Sequence, residues 1–457
     1  MRGRPSGSGI AAAAIILSGF AATVALTWPG YVSYDSALQL LQGRVAHYNT
    51  WHPPVMAWML GVMDAVVPGA GLFVLFDAAL LYAAMLALLW LRPKPSWAAP
   101  IVALICALSP QFLIYQGNVW KDVLFADAAV AGFASLACAA AYWEHARTRF
   151  VSLIIAFALF VLAALARQNG IIVLGVGAVA LTIIARGQLT WRDSIPYRAG
   201  VLIASILALA GANTALETRG DNGYGRLSQV KALQLYDITG MVAAAPGIKL
   251  DWLHKNSPAL EELIRSDGVR LYSPVHYDTL AASDLLQKLL VVTPEMRMMH
   301  QWLELIVSHP LLYLRVREEI FRWVTLTPDI AQCHPYYVGV SGPPDAMRQL
   351  NLNTAPRLQD RMLWNYGARF VGTPVYSHAL FGVISLVATI VLFRRRAPAD
   401  LAMAFMLVSA LVFALSFFVI SVACDYRYLY YVDLSALVAC FYLAASVPAF
   451  PYAAPRE

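Results

Sequence analysis

Four short polar segments interrupt an otherwise apolar chain, and each sets ionisable side chains beside polar or aromatic neighbours: Tyr34-Asp35-Ser36, Trp120-Lys121-Asp122, Ala166-Arg167-Gln168-Asn169 and Asp425-Tyr426-Arg427-Tyr428. The first lies within Trp28-Pro-Gly-Tyr-Val-Ser-Tyr-Asp35-Ser36, a lone carboxylate just past a long apolar run, and Trp51-His52-Pro53-Pro54 follows in the same loop. Ionisable groups near a membrane are costly, about 2.5 to 3.5 kcal/mol at a helix centre, so those that persist usually have a partner or a task. Brought together, these carboxylates, cations and rings form a pocket suited to one kind of chemistry. A carboxylate takes a proton from an incoming nucleophile, while cations hold an anionic leaving group.

Composition sets the elements that must position them. With 60% hydrophobic and 13% charged residues over 457 positions, the chain needs the bilayer as its solvent. A hydrocarbon core of roughly 30 Å takes about 20 residues per helix. Ten such runs can be read, near 9–28, 70–91, 97–115, 123–143, 150–166, 171–186, 198–216, 375–393, 399–422 and 429–448. The fifth and sixth are joined only by Arg167-Gln-Asn-Gly170. Cations near span ends stay on the cytoplasmic side. Arg2 and Arg4, Arg92 and Lys94, Arg147 and Arg149, Arg186 with Arg192 and Arg198, and Arg394-Arg395-Arg396 all fall on one face under this count. Both termini are then cytoplasmic and the four polar segments face outward. The net charge of +6 reflects those loops, and no basic block with interleaved aromatics points to a nucleic-acid partner.

The expected fold is therefore an all-α polytopic membrane protein of about ten transmembrane helices with juxtamembrane helices. An N-terminal membrane module covers 1–216 and includes the first outer loop at 29–69. An extracytoplasmic segment covers 217–374, and a C-terminal membrane module covers 375–457. Ser283 to Thr325 carries helical periodicity, broken at His309-Pro310, so the outer segment is expected to be helical. Asp221-Asn-Gly and Ser341-Gly-Pro-Pro-Asp345 read as turns or loops. Three cysteines fall in spans, leaving Cys333 and Cys424 as the only pair able to meet outside, and the reading is against a disulfide between them. Scattered histidines without Cys-x-x-Cys give no structural zinc site. The outer loops lack an Asn-x-Ser/Thr sequon, which fits a bacterial plasma (inner) membrane with a periplasmic site.

Three of these stretches resemble the GT-C superfamily of integral-membrane glycosyltransferases, which use polyprenyl-phosphate sugars and include protein O-mannosyltransferases and the lipid A aminoarabinose transferase. The Asp35 loop is similar to the family's first-loop catalytic carboxylate. Trp51-His52-Pro53-Pro54-Val-Met-Ala-Trp58 resembles the segment leading into a juxtamembrane helix, and Lys121-Asp122-Val-Leu124-Phe-Ala126 the acidic motif opening the fourth span. The family usually carries two adjacent acids in the first loop, where this chain has Asp35 followed by Ser36. The resemblance implies a polyprenyl-phosphate-linked sugar donor and a glycolipid, glycan or protein acceptor.

Expected roles follow from what the transfer demands. Asp35 is the general base of an inverting reaction. Lys121, Arg167 and Arg427 hold the phosphate. Asp122 orients Lys121 or the acceptor, or joins Asp35 around a divalent metal ion, the one candidate cofactor. Tyr34, Trp51, His52, Trp120 and Tyr428 contact the substrate. Simpler readings stand beside these. Asp35 could begin or cap a helix, Lys121 and Asp122 could pair with each other, and Arg315 and Arg317 read as surface charges paired with Glu318 and Glu319. Tyr430 and Tyr431 read as interfacial belt residues. A transporter or flippase, or an O-antigen ligase or polymerase, are the alternative function classes.

Overall fold

The computed structural model describes residues 6–49, 52–188, 205, 210–211 and 224–446. Trp51, the Asp221 turn and nearly all of the expected span at 198–216 lie outside the described residues. Among the described residues there is no β-strand, only three isolated bridges, and the protein is an all-α polytopic membrane protein. Eight helices are long and apolar enough to cross a bilayer: Gly7–Thr27, Gly71–Trp90, Lys121–Ala141, Ala146–Ala166, Gln168–Gly187, His378–Arg395, Pro398–Ile420 and Tyr426–Ala445. The run expected as a straight third span is instead a bent pair, Ala98–Leu108 with Pro110–Gly117, turned by 59°. Ser109 is extended there and Pro110 has no N–H to continue the ladder, so the helix restarts in a new direction.

The span Lys121–Ala141 is the most enclosed of the set, with 89% of its apolar window buried. Its run of Ala and Gly lets neighbouring helices approach closely, and the Phe160 ring fills the space beside Gly132. Contacts between helix ends fix the alternation of the bundle. At one end Ser8 Oγ donates to the Pro95 carbonyl at 2.6 Å, Arg92 reaches Asp400 at 3.1 Å and Tyr442 Oη at 2.8 Å, and Ser96 Oγ donates to the Ala444 carbonyl. The opposite end carries the loop after the first span and the starts of the Lys121 and Tyr426 helices.

Two short helices cover that second end, Tyr34–Val45 and Pro54–Asp64. They cross with their backbones in contact at Gly43 and Gly61, where a Cβ on Gly43 would lie 2.1 Å from the Ala57 carbonyl oxygen. Arg44 locks the crossing with a two-pronged contact to Asp64, at 2.8 and 2.6 Å. This pair fixes Asp35 and His52 relative to each other, because each stands at or near the start of one of the two helices.

Beyond it stand the helices between 224 and 368, with a core built on Leu235, Ile238, Met241, Leu286, Met298, Leu305 and Ile320. The stretch read as helical from Ser283 forms Asp284–Val292, Glu295–Ser308 and Pro310–Leu326, broken at His309-Pro310 as its sequence implies. Three expectations are corrected. Arg317 is not a surface charge: it is fully buried and paired with Asp237 at 2.5 Å, and Asp237 also accepts from Trp302 Nε1 at 2.8 Å. A charge enclosed this way needs an opposite charge and further hydrogen bonds, which local pairing with Glu318 or Glu319 would not supply. Tyr430 and Tyr431 are fully buried inside the bundle, with their hydroxyls bonded to Gln111 and Ser409. Cys333 and Cys424 form a disulfide, their Cα atoms 4.7 Å apart across 91 residues of chain. The segment holding Cys424 pairs with the outer helices, since Cys424 N donates to Val275 O and Tyr277 N to Val422 O, both at 2.8 Å. That pairing carries the second cysteine to the first.

Alkylation of the denatured, unreduced protein is expected to modify three of its five cysteines, Cys106, Cys138 and Cys440, and reduction to expose the other two. Five reactive thiols before reduction would contradict the pairing.

Candidate functional site

The loop after the first span is threaded between two other stretches of chain. Tyr31 N donates to Gly117 O at 2.7 Å and Val119 N to Tyr31 O at 3.0 Å, while on the other side Val32 N donates to Gly339 O and Ser341 N to Val32 O. Side chains reinforce this: Ser36 Oγ donates to the Val119 carbonyl at 2.5 Å, Trp120 Nε1 to Ser33 Oγ at 2.9 Å, and Tyr337 Oη to Val32 O at 3.1 Å. The first loop is thereby seated directly on the entrance to the Lys121–Ala141 span. Ser33 occupies the cap position of the next helix, so the Asp35 carboxylate is left to project from its first turn.

Asp35 meets the last span. Arg427 Nη2 donates to Asp35 Oδ2 at 3.0 Å, and its Nε donates to Asp425 Oδ2 at 2.8 Å and stands 4.0 Å from Asp122 Oδ2. The guanidinium also lies over the Trp120 ring, 5.3 Å from its centroid. Asp122 and Arg167 form a buried ion pair below, and Arg167 is enclosed by the rings of Phe413, Phe417 and Tyr428 at 5.3 to 5.6 Å. Thus Asp35, His52, Trp120, Lys121, Asp122, Arg167, Arg427 and Tyr428 converge at one end of the bundle. Tyr34 lies on the rim with 60% of its surface exposed.

Lys121 does not pair with Asp122. Its Nζ lies 3.0 Å from His52 Nδ1, and His52 Nε2 lies 3.7 Å from Asp35 Oδ1. An ionised carboxylate can only accept, so the ring proton sits on Nε2, facing Asp35, and Nδ1 is left to accept from Lys121. Burial, then the nearby Lys121 charge, lowers the His52 pKa to about 4, so the imidazole is neutral at neutral pH. Burial alone would raise the Asp35 carboxyl. The adjoining His52 imidazole and the Arg427 guanidinium outweigh it and hold Asp35 well below the usual carboxylate range. The result is an ionised carboxylate and the Lys121 amino group set on opposite edges of one neutral ring.

The donor set does not fit a divalent ion. Among the described residues no group of three or more His, Cys, Asp or Glu could hold one, and Asp35 and Asp122 each face a guanidinium instead. The sequence marks the four polar segments, Ser36 among them, but not the holding role of Ser36, nor Ser33, Tyr337 and the chain at 339–341, which also keep the first loop in place. Only the Pro-Gly turn and the Ser341-Gly-Pro-Pro run hinted at ordered loops there.

Fold and site together define a multi-pass membrane protein with a cluster of charged and aromatic side chains at one end of its bundle. Two solved structures resemble the chain: archaeal oligosaccharyltransferase AglB from Archaeoglobus fulgidus in complex with an inhibitory peptide and a dolichol-phosphate, and the Archaeoglobus fulgidus oligosaccharyltransferase in the apo form. Each match has 13% sequence identity, a TM-score of 0.42, and covers 94% of this chain. The match covers 50% of each archaeal chain, so this protein spans about half their length. No family model matches the sequence, and no curated protein matches it.

Because the neutral ring is favoured in the folded protein, lowering the pH should leave His52 unprotonated past the ordinary histidine value of 6.5, down to about 4. Nitrogen NMR of labelled histidine, with the His52 signal assigned by His52→Gln, measures this. Titration at the ordinary value would contradict the bridge.

Proposed function

We propose that this protein is a membrane glycosyltransferase that moves a sugar from a polyprenyl-phosphate donor to an envelope acceptor, with inversion, on the outer (periplasmic) face of a bacterial plasma membrane. The observation that carries the reading is the state of Lys121. Among the described residues, Arg427 faces Asp35 and Asp425, and Arg167 faces Asp122, whereas Lys121 meets a neutral imidazole and no carboxylate. A half-buried ammonium with donors to spare, at the mouth of a span, is suited to a phosphate monoanion or dianion at membrane depth. The Arg427 guanidinium, which spends Nε on Asp425 and Nη2 on Asp35, adds a second donor group.

The chemistry then divides between the two edges of His52. Asp35, kept ionised by Arg427, takes the proton of the acceptor hydroxyl or amine as that atom bonds to the anomeric carbon. The bond from the anomeric carbon to the phosphate oxygen breaks on the opposite side, and its electron pair leaves with the phosphate towards Lys121 and Arg427. Arg167 holds Asp122 in place and Asp122 adds negative potential beneath Arg427, so both serve the site's charge balance. Trp120, Tyr428 and Tyr34 offer ring faces to the sugar, and the helices between 224 and 368 stand where an acceptor glycolipid, glycan or protein would be selected.

In a transfer assay with a polyprenyl-phosphate sugar, Asp35→Asn should lower turnover by about 10² to 10⁴-fold while donor binding survives. Near wild-type turnover would remove Asp35 from the mechanism. Lys121→Met should instead raise the donor KM with little change in acceptor KM, and an unchanged donor KM would reject the phosphate role. Proton NMR of the product is expected to give the anomer opposite to that of the donor.

A further inference from the structure

The turn that presents Arg427 is gripped from beneath by a buried polar node that the proposed transfer does not touch. Tyr426, the residue before it, points away from the pocket into the bundle. Gln111 Nε2 donates to Tyr426 Oη at 2.9 Å, which leaves the phenol proton for Asp433 Oδ2 at 2.5 Å. The other carboxylate oxygen, Asp433 Oδ1, accepts from His378 Nδ1 at 2.9 Å, and the His378 and Tyr426 rings are in contact, tilted by 32° with centroids 4.1 Å apart. Gln111 Nε2 also donates to the Val375 carbonyl at 2.6 Å. All four side chains are at most 2% exposed.

These groups come from four places: the break in the bent span, the loop before His378, the start of the His378–Arg395 span and the body of the last helix. The node therefore fixes where the one-turn segment Tyr426–Leu429 sits against three neighbouring elements at once. An apolar contact would allow that turn to slide or rotate, whereas directional bonds from Gln111, Asp433 and His378 hold it in one arrangement, with Gln111 Oε1 and His378 Nε2 left without a partner among the described residues. Arg427 needs such a fixed base. Its Nε must reach Asp425 and its Nη2 must reach Asp35 on a different loop, and a displacement of about 1 Å at a reacting centre can cost on the order of 100-fold in rate.

We infer that Tyr426, Asp433 and His378 are positioning residues for Arg427, setting the guanidinium against Asp35 and the donor phosphate. The inference rests on the transfer reading above, in which Arg427 serves the donor. Tyr426→Phe keeps the ring and removes the hydroxyl. It is expected to raise the donor KM about tenfold, the share of a 1 Å error that a partly held turn would retain, with a smaller effect on kcat. A variant that merely folded less well would lose kcat at unchanged KM.

The decisive measurement is a double-mutant cycle in the transfer assay. Arg427→Ala alone should weaken the donor, and in that background Tyr426→Phe should add no further loss, because the positioned group is gone. Multiplying losses, or a normal donor KM in Tyr426→Phe alone, would overturn the inference. If Arg427→Ala leaves donor KM unchanged, the transfer reading of Arg427 fails and takes this inference with it. Should Tyr426→Phe not fold, Asp433→Asn, of the same shape, replaces it in the cycle with the same expected outcomes.

Discussion

The ion pair between Asp35 and Arg427 joins residues 392 positions apart and is the contact on which the site depends. It closes the first loop onto the last span, and it keeps the carboxylate ionised where burial would favour the neutral acid. The pair is half-buried, so each side chain loses part of its hydration there and recovers it from the other, and Asp35 depends on Arg427 more than the reverse because Arg427 also has Asp425. Asp425 and Trp120 take up remaining faces of the guanidinium.

The rest of the architecture serves to bring those two partners to the same place. On one side the glycine crossing at Gly43 and Gly61, the Arg44–Asp64 lock and the backbone pairing around Tyr31 and Val32 fix the first loop. On the other, the Cys333–Cys424 disulfide and the pairing of Val422 and Cys424 with Val275 and Tyr277 hold the chain just before Asp425. The buried Arg317 extends this grip, since its Nη1 donates to the Ser421 carbonyl at 2.7 Å. The outer helices are thus tied to the segment that delivers Arg427, and the site is continuous with them.

Much of this was legible in the sequence because the signals were local. Apolar runs marked the spans, and ionisable residues stood out against them, so Asp35, Lys121, Asp122, Arg167 and Arg427 could be named one segment at a time. Their pairing could not. Lys121 adjoins Asp122 in sequence, yet successive residues at a helix start point in different directions, and Lys121 turns to His52 while Asp122 turns to Arg167. Arg317 sits beside two glutamates in sequence but faces inward, where Asp237 waits on another helix. Cys333 and Cys424 meet only because distant backbone segments pair. The aromatic run at Tyr430 and Tyr431 has the composition of a membrane-interface belt, and only the packing of neighbouring spans reveals it as core.

In the proposed transfer, the neutral His52 ring separates a proton-accepting edge from a phosphate-holding one. A structure of the protein with a bound polyprenyl-phosphate sugar, or a non-transferable analogue of it, tests this most directly. The phosphate is expected within hydrogen-bond reach of Lys121 Nζ, with the Asp35 carboxylate across the anomeric carbon from it. A phosphate bound away from Lys121, or lying on the same side of the sugar as Asp35, would contradict it.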